Sequence, residues 1–296
     1  MKNSIQLNDK YVPLFTDKSR YFVVTGGRGS GKSFGVNVFL LNLTYEAGHK
    51  VLFTRFTLTS AAASIIPEFI EKIELMGVES DFRITKDEII NLTTGSSIIF
   101  KGIRTSSGNQ TAALKSLSGV TTFVLDEAEE LVDEDTFSKI DFSIRSNTKS
   151  NRVILILNPT TKEHWIYQRF FMYPNVKAGT NASKGDVTYI HTTFEDNKEN
   201  LSKSYLEQLY DLKRRDIVKF EHQILGGWLN KAEGTIITNW KVGHFVQTEL
   251  MCYGQDFGFS TDITSLVKVA VDKDTRSVYV KQIYGKTNLS TSDIAY

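Results

Sequence analysis

The run Tyr21–Ser33, YFVVTGGRGSGKS, constrains the fold more tightly than any other stretch of the chain. Tyr21, Phe22, Val23 and Val24 have strand character and lead into a glycine-rich loop that ends in Lys32 and Ser33. From Gly26 the spacing G-x-x-x-x-G-K-S is met, with Gly31 as its second glycine. Glycine admits positive φ, so such a loop can turn successive N–H groups inward as a nest for phosphate oxygens. Apolar residues from Phe34 to Leu41 predict a helix starting near Gly31, whose dipole adds positive potential at the same point. Lys32 then reaches the β- and γ-phosphates, and the Ser33 hydroxyl ligates Mg²⁺. Gly26, Gly27, Arg28, Gly29, Ser30, Gly31, Lys32 and Ser33 are thus the expected ATP-binding loop. A glycine-rich turn that binds nothing fits less well, because strand, spacing and helix all agree.

The second informative stretch is Thr121–Glu130, TTFVLDEAEE. Phe123, Val124 and Leu125 read as a buried parallel strand with an acidic tip. Asp126 there is expected to hold Mg²⁺ through water, together with Ser33, and Glu127 to polarise the water that attacks the γ-phosphate. Apolar residues followed by Asp-Glu are common at strand ends, so this reading draws its force from the complete phosphate loop upstream. Between the two, Lys50–Phe56 reads as a strand with Arg55 at its far end, where open α/β sheets face their ligand crevice. Arg55 either serves catalysis or a neighbouring subunit, or pairs with a surface carboxylate. Arg152–Leu157 (RVILIL) is another buried strand; the Asn158 that follows it either senses the γ-phosphate or opens a plain Asn-Pro turn. These elements predict an α/β fold with a mainly parallel sheet flanked by helices.

Elsewhere the pattern is plainer. A helix is expected from the loop to about Ala47, stopped by Gly48, and others over Ser60–Met76, Glu134–Ile144 and Ser202–Leu225. Ile84–Leu92 and Ile98–Phe100 read as a hairpin about a glycine turn, and Thr105–Ser118 as a polar, mobile loop whose Lys115 touches phosphate or nothing. Gln6 either reads an adenine edge or belongs to a lead-in that only packs on the first strand. Lys213, Arg214 and Arg215 are read as a solvated helix face rather than a DNA track. Gly226–Thr238 is a linker candidate, after which strands restart at Leu250–Asp256, Ile263–Val271 and Arg276–Tyr284, with a turn at Asp272–Thr275. A strand bearing Asp256 before an antiparallel pair begins an RNase H-type nuclease or is an ordinary strand end. The single cysteine, Cys252, excludes an internal disulfide and is expected to be a buried small hydrophobe. No apolar run reaches the ~18 residues of a membrane span, no signal-peptide core is present, and the net charge of +1 gives no argument for nucleic acid.

Taken in order, GGRGSGKS, KVLFTRF, LKSLSGVTTFVLDEAEEL, LILNPT and YGQDFGFSTDITSLVKVAV resemble the large subunit of tailed-bacteriophage terminases, the DNA-packaging motors. The resemblance covers nearly the whole chain. It implies a P-loop NTPase of the additional-strand, catalytic-glutamate class over 1–230, a linker over 231–248, and the first strands of an RNase H-like nuclease over 249–296. Lys32, Arg28 and Glu127 then act in catalysis, Ser33 and Asp126 hold Mg²⁺, Asn158 couples hydrolysis to DNA movement, and Asp256 is the first nuclease metal ligand. The family nuclease needs further carboxylates, served by Mg²⁺ or Mn²⁺, and only forty residues follow Asp256. The chain therefore reads as a motor with an incomplete nuclease. The implied partners are double-stranded DNA, a portal protein, a small terminase subunit and further copies in a ring on the portal, with no membrane, in the cytoplasm of an infected bacterial host. Two other classes compete. A nucleic-acid-dependent ATPase or helicase outside packaging lacks support from helicase motifs after Asn158, and a non-enzymatic nucleotide switch would not need Glu127.

Overall fold

The computed structural model describes residues 4–57, 63, 65–105, 108–109, 118–230, 242–258 and 262–287. The chain separates into two units, Met1–Thr235 and Ile236–Tyr296. The first begins with a 3-10 turn (Asp9–Tyr11) and helix α1 (Val12–Thr16), followed by β1 (Tyr21–Gly26), α2 (Lys32–Leu43), β2 (Lys50–Thr57) and α3 (Ile66–Met76). Next come β3 (Phe82–Ile84), β4 (Glu88–Asn91), β5 (Ser97–Thr105), β6 (Gly108–Asn109), β7 (Thr122–Asp126) and α4 (Glu134–Asp141). The unit closes with β8 (Arg152–Leu157), α5 (Trp165–Tyr167, continued as a π-turn over Gln168–Met172), β9 (Ala182–Lys184), β10 (Val187–Thr192), α6 (Lys203–Arg215) and α7 (Ile217–Gln223).

The strands form one sheet in the order β3-β4-β5-β2-β7-β8-β1-β10-β9, with β6 on β5. The six central strands, β5 to β10 along that path, run parallel, and β3, β4, β6 and β9 join antiparallel. Parallel strands need both faces covered, and alternation along each strand supplies two cores. On one face Phe22, Phe53, Val124 and Ile154 pack with Phe39 and Leu40 of α2 and Phe69 and Ile73 of α3. On the other, Val23, Leu52, Phe123 and Leu155 pack with Phe137 of α4 and Trp165, Phe170 and Phe171 of α5. The predicted hairpin is present as β4 and β5, paired antiparallel.

Several helices end elsewhere than the spacing suggests. α2 stops at Leu43, short of Ala47, as the chain tightens there, Tyr45 N donating to Asn42 O (3.0 Å) and Glu46 N to Leu43 O (3.1 Å). The hairpin turn takes the carbonyls just beyond, Thr94 Oγ1 donating to Thr44 O and Ser96 Oγ to Glu46 O, both at 2.6 Å. The helix expected over Ser202–Leu225 is two helices. The chain breaks at Asp216 (φ −150°), whose carboxylate accepts the Lys219 N–H at 2.9 Å and so caps α7. Asp211 pairs with Arg214 (2.9 Å) and Arg215 (3.0 Å), which supports the reading of that cluster as a solvated face. The helix expected to reach Ile144 ends at Asp141. The linker candidate starts too early at Gly226, since Leu229 N donates to Thr160 O (2.8 Å) and Lys162 N to Leu229 O (2.9 Å). Lys115, most of the loop around it and the start of the expected 60–76 helix lie outside the described residues.

The second unit is a meander of β11 (Leu250–Asp256), β12 (Thr264–Asp272) and β13 (Ser277–Lys286), paired antiparallel in that order. Asp272 forms the expected turn, its Oδ1 accepting the N–H groups of Asp274 (2.9 Å) and Thr275 (3.1 Å). Cys252 is exposed, contrary to expectation, because all of β11 lies open among the described residues.

The aromatic trio Phe53, Phe69 and Phe100, with ring centroids 5.3–5.6 Å apart, ties α3 to the sheet. Phe69 is fully buried, so Phe69→Ala should cost about 3–5 kcal/mol through lost transfer energy and a residual cavity. Urea unfolding followed by the fluorescence of Trp165 and Trp228, both in this unit, measures it. A loss under about 1 kcal/mol would contradict the packing described.

Candidate active site

The register of the parallel strands sets the geometry. Thr25 of β1 lies opposite Leu157 of β8, Ile156 opposite Asp126 of β7, and Asp126 opposite Arg55 of β2. The carboxyl ends of four strands thus reach one level, where open α/β sheets form their ligand crevice. β8 stands between the strand that feeds the glycine loop and the strand that carries the acids. Gly31 is the N-cap of α2 at φ +76°, a left-handed conformation in which a side chain would be strained, and Lys32 and Ser33 open the helix. An opening of about 410 Å³ is lined by the loop from Gly27 to Phe34, by Glu127 and by Asn158.

Lys32 is nearly buried and folds back over its own loop. Its Nζ donates to the carbonyls of Gly26 (3.0 Å) and Gly27 (2.9 Å), to Ser30 Oγ (3.3 Å) and to Asn158 Oδ1 (3.0 Å). Burial lowers its pKa to about 8, against the pull of Glu129 and Asp126. The Asn158 amide meets Glu129 at its other end, Nδ2 donating to Oε1 at 3.0 Å. Burial pushes the Glu129 carboxyl up, opposed by hydrogen bonds that favour its ionised form.

Asp126 is buried and held by Arg55, whose Nε and terminal nitrogen approach Oδ2 at 2.8 and 2.7 Å. The shortest contacts of Arg55 are therefore to this buried strand-tip acid, in addition to the partly exposed carboxylates of Glu68 and Glu127. Burial raises the Asp126 carboxyl, and the guanidinium opposes it. The same Arg55 lies 3.5 Å from Glu68 and 3.7 Å from Glu127. Glu127 takes a left-handed backbone (φ +52°), a strained conformation for a residue with a side chain, at the edge of the opening. Its carboxyl is pushed up by burial, with Arg55 pulling the other way.

The loop is gripped from behind. Arg28 N donates to Gln223 O at 2.9 Å, and a Cβ on Gly27 would fall 2.0 Å from the Ile224 carbonyl oxygen, so only glycine fits. The Arg28 side chain is exposed, and among the described residues no carboxylate pairs with it. The lead-in packs through Tyr11, whose hydroxyl lies 3.3 Å from Ser30 O and 3.2 Å from Thr192 Oγ1, while Gln6 is exposed. Asp256 ends β11 in the second unit and is exposed, as is Asp262. No cluster of three or more His, Cys, Asp or Glu able to hold a metal occurs among the described residues. The motif spacing does not single out Glu129. It lies two residues beyond Glu127, on the 3-10 turn Ala128–Glu130, and its side chain reaches Asn158 only because β7 and β8 are neighbours.

Comparison with known proteins follows the same outline. The model of the family described as "Phage terminase large subunit" matches residues 18–227. The large terminase subunit of Bacillus phage SPP1 is 25% identical over 303 positions, covering 93% of this chain and 68% of that protein. The solved large terminase of a thermophilic bacteriophage superposes with a TM-score of 0.60 at 14% identity, over 94% of this chain and 69% of that one. The same phage protein in complex with ATP-γ-S gives 0.53 at 13% identity, over 94% and 68%. At such identities the structural likeness speaks for the fold.

The depressed pKa of Lys32 has a sign that can be tested. Between about 8 and its ordinary 10.5 the unfolded chain binds a proton that the folded chain does not. Stability therefore rises with pH across this window, by about 3 kcal/mol when complete. Urea titrations of wild type and Lys32→Met should show the wild type gaining on the variant from pH 7.5 to pH 10. A constant difference would mean that Lys32 keeps an ordinary pKa.

Proposed function

We propose, from the premise that this chain belongs to the phage terminase large-subunit family, that it hydrolyses ATP as the motor that drives double-stranded DNA into a procapsid. The observation that carries this reading is the convergence of the glycine loop, Glu127 and Asn158 on one opening. Phosphoryl transfer is mainly positioning and charge neutralisation. Loop N–H groups at the start of α2 hold the phosphate oxygens, and Lys32 exchanges its carbonyl contacts for the β- and γ-phosphates. Arg28 reaches the γ-phosphate with a planar fork suited to two-point contact. Glu127 orients the attacking water and accepts its proton, a task helped by the burial that raises its carboxyl.

Asp126 and Ser33 offer only oxygen donors, the chemistry that suits Mg²⁺, and those two residues would hold it. The ion would supply neutralisation of the negative charge on the triphosphate. Asn158, at the end of the strand between loop and acids, links the phosphate site to DNA movement. The partners in this reading are DNA, a portal protein, a small terminase subunit and further copies of this chain in a ring. Among the described residues no helix is long and apolar enough to cross a membrane.

Lys32→Ala should abolish hydrolysis and weaken ATP binding. Glu127→Gln should lower turnover by about 10²-fold or more while leaving binding largely intact. Phosphate release and fluorescent-nucleotide titration measure the two separately, and ATPase activity persisting in Glu127→Gln would remove its assigned role. DNA cutting by residues 1–296 is not expected, because Asp256 and Asp262 alone do not make a two-metal site. Incubating supercoiled plasmid with the purified chain and Mn²⁺ checks this; linearisation that disappears in Asp256→Ala would overturn it.

A further inference from the structure

The Asn158 amide lies between two groups of opposite hydrogen-bonding character. A lysine ammonium only donates, and an ionised carboxylate only accepts. With Oδ1 on Lys32 Nζ and Nδ2 on Glu129 Oε1, both at 3.0 Å, only one orientation of the amide satisfies both neighbours. Flipping it would set an NH₂ against the ammonium and a carbonyl against the carboxylate. Glu129 is itself anchored. Its own carbonyl accepts from His164 Nε2 at 3.2 Å, on the 3-10 turn that follows Glu127.

We propose that Glu129 is a positioning residue for phosphoryl transfer, acting through Asn158; the inference rests on the ATPase reading above. When Lys32 turns to the phosphates, Asn158 Oδ1 loses its donor, but the Nδ2 contact to Glu129 does not depend on the lysine. The amide oxygen therefore stays aimed at the space the ammonium has left, where it can accept a hydrogen bond from the attacking water. Glu129 is not among the residues that line the opening, so in this proposal it acts only through Asn158. Its carboxylate has no donor to offer, and this denies Asn158 the flipped state. A glutamine at 129 is the same size but can donate or accept, so both amide orientations become open.

The test compares wild type, Glu129→Gln, Asn158→Ala and the double variant in the full chain, with and without double-stranded DNA. ATP turnover, affinity for a fluorescent ATP analogue and melting temperature are read for each. Glu129→Gln should lower kcat about tenfold with nucleotide affinity within about twofold of wild type, and should add nothing once Asn158 is alanine. Unchanged kcat in Glu129→Gln, or losses that multiply in the double variant, would sink the proposal while leaving the ATPase reading standing. A wild type that hydrolyses no ATP under either condition would take down that reading and this inference with it. Should Glu129→Gln fail to fold, Glu129→Asp keeps an acceptor-only group one methylene shorter. It should retain more turnover than Glu129→Ala, and equal loss in the two would count against the proposal.

Discussion

The site depends on parallel strands that end at one level. With neighbouring strands ~4.8 Å apart, the glycine loop on β1 and the acids on β7 are separated by the width of two strand spacings, with β8 between. The opening lies at this end of the sheet, with Asn158 in its lining. The strand order also makes Arg55 and Asp126 register partners on β2 and β7, so their contact follows from the pairing rather than from a flexible reach. A slip of one residue in any of these pairs would turn the apolar sets toward the wrong cores and scatter the polar ends. The two aromatic and aliphatic layers that cover the sheet therefore hold the chemistry in place, although none of their side chains takes part in it.

Two of the buried charges at this end of the sheet, Lys32 and Asp126, are matched internally. Lys32 is surrounded by two backbone carbonyls, a hydroxyl and an amide oxygen; Asp126 has Arg55. Removing one member of such a set is expensive, because the charge left behind is buried without its partner. In the proposed function a triphosphate would supply oxygens in place of the acceptors Lys32 gives up, and Mg²⁺ would meet Asp126 beside Arg55. Glu129 is matched on one side only: its Oε1 accepts from Asn158, while Oε2 is buried without a hydrogen-bond partner among the described residues.

Much of this was legible in the sequence, and what was not has a common cause. β8 coincides residue for residue with the expected Arg152–Leu157, because a continuous apolar run flanked by polar residues is a strong local signal. The loop residues were legible because their spacing is local and each residue type has its own chemical task. The Arg55–Asp126 pair was not, because it depends on the order of strands in the sheet, which spacing along the chain does not contain. The same holds for Glu129 and Asn158. The carbonyls just past α2 are taken by Thr94 and Ser96, which come from a hairpin half a hundred residues later. The exposure of Cys252 depends on what covers a sheet, a question that alternation alone does not answer.

The grip on the glycine loop bears on where this nucleotide fold ends as a physical object. Gly226 has φ +72°, and a Cβ there would fall 2.6 Å from the Gly26 carbonyl carbon, just as Gly27 admits none against Ile224. The stretch from Gln223 to Gly226 is therefore the floor on which the loop rests, and Trp228 and Leu229 extend it along α5 and residues 160–162. A fragment trimmed at the end of α7 would keep every motif residue and yet lose that floor, because the loop's shape is held from outside its own sequence. A piece of this chain that keeps the loop's support therefore reaches at least to Gly226, past the end of α7 at Gln223.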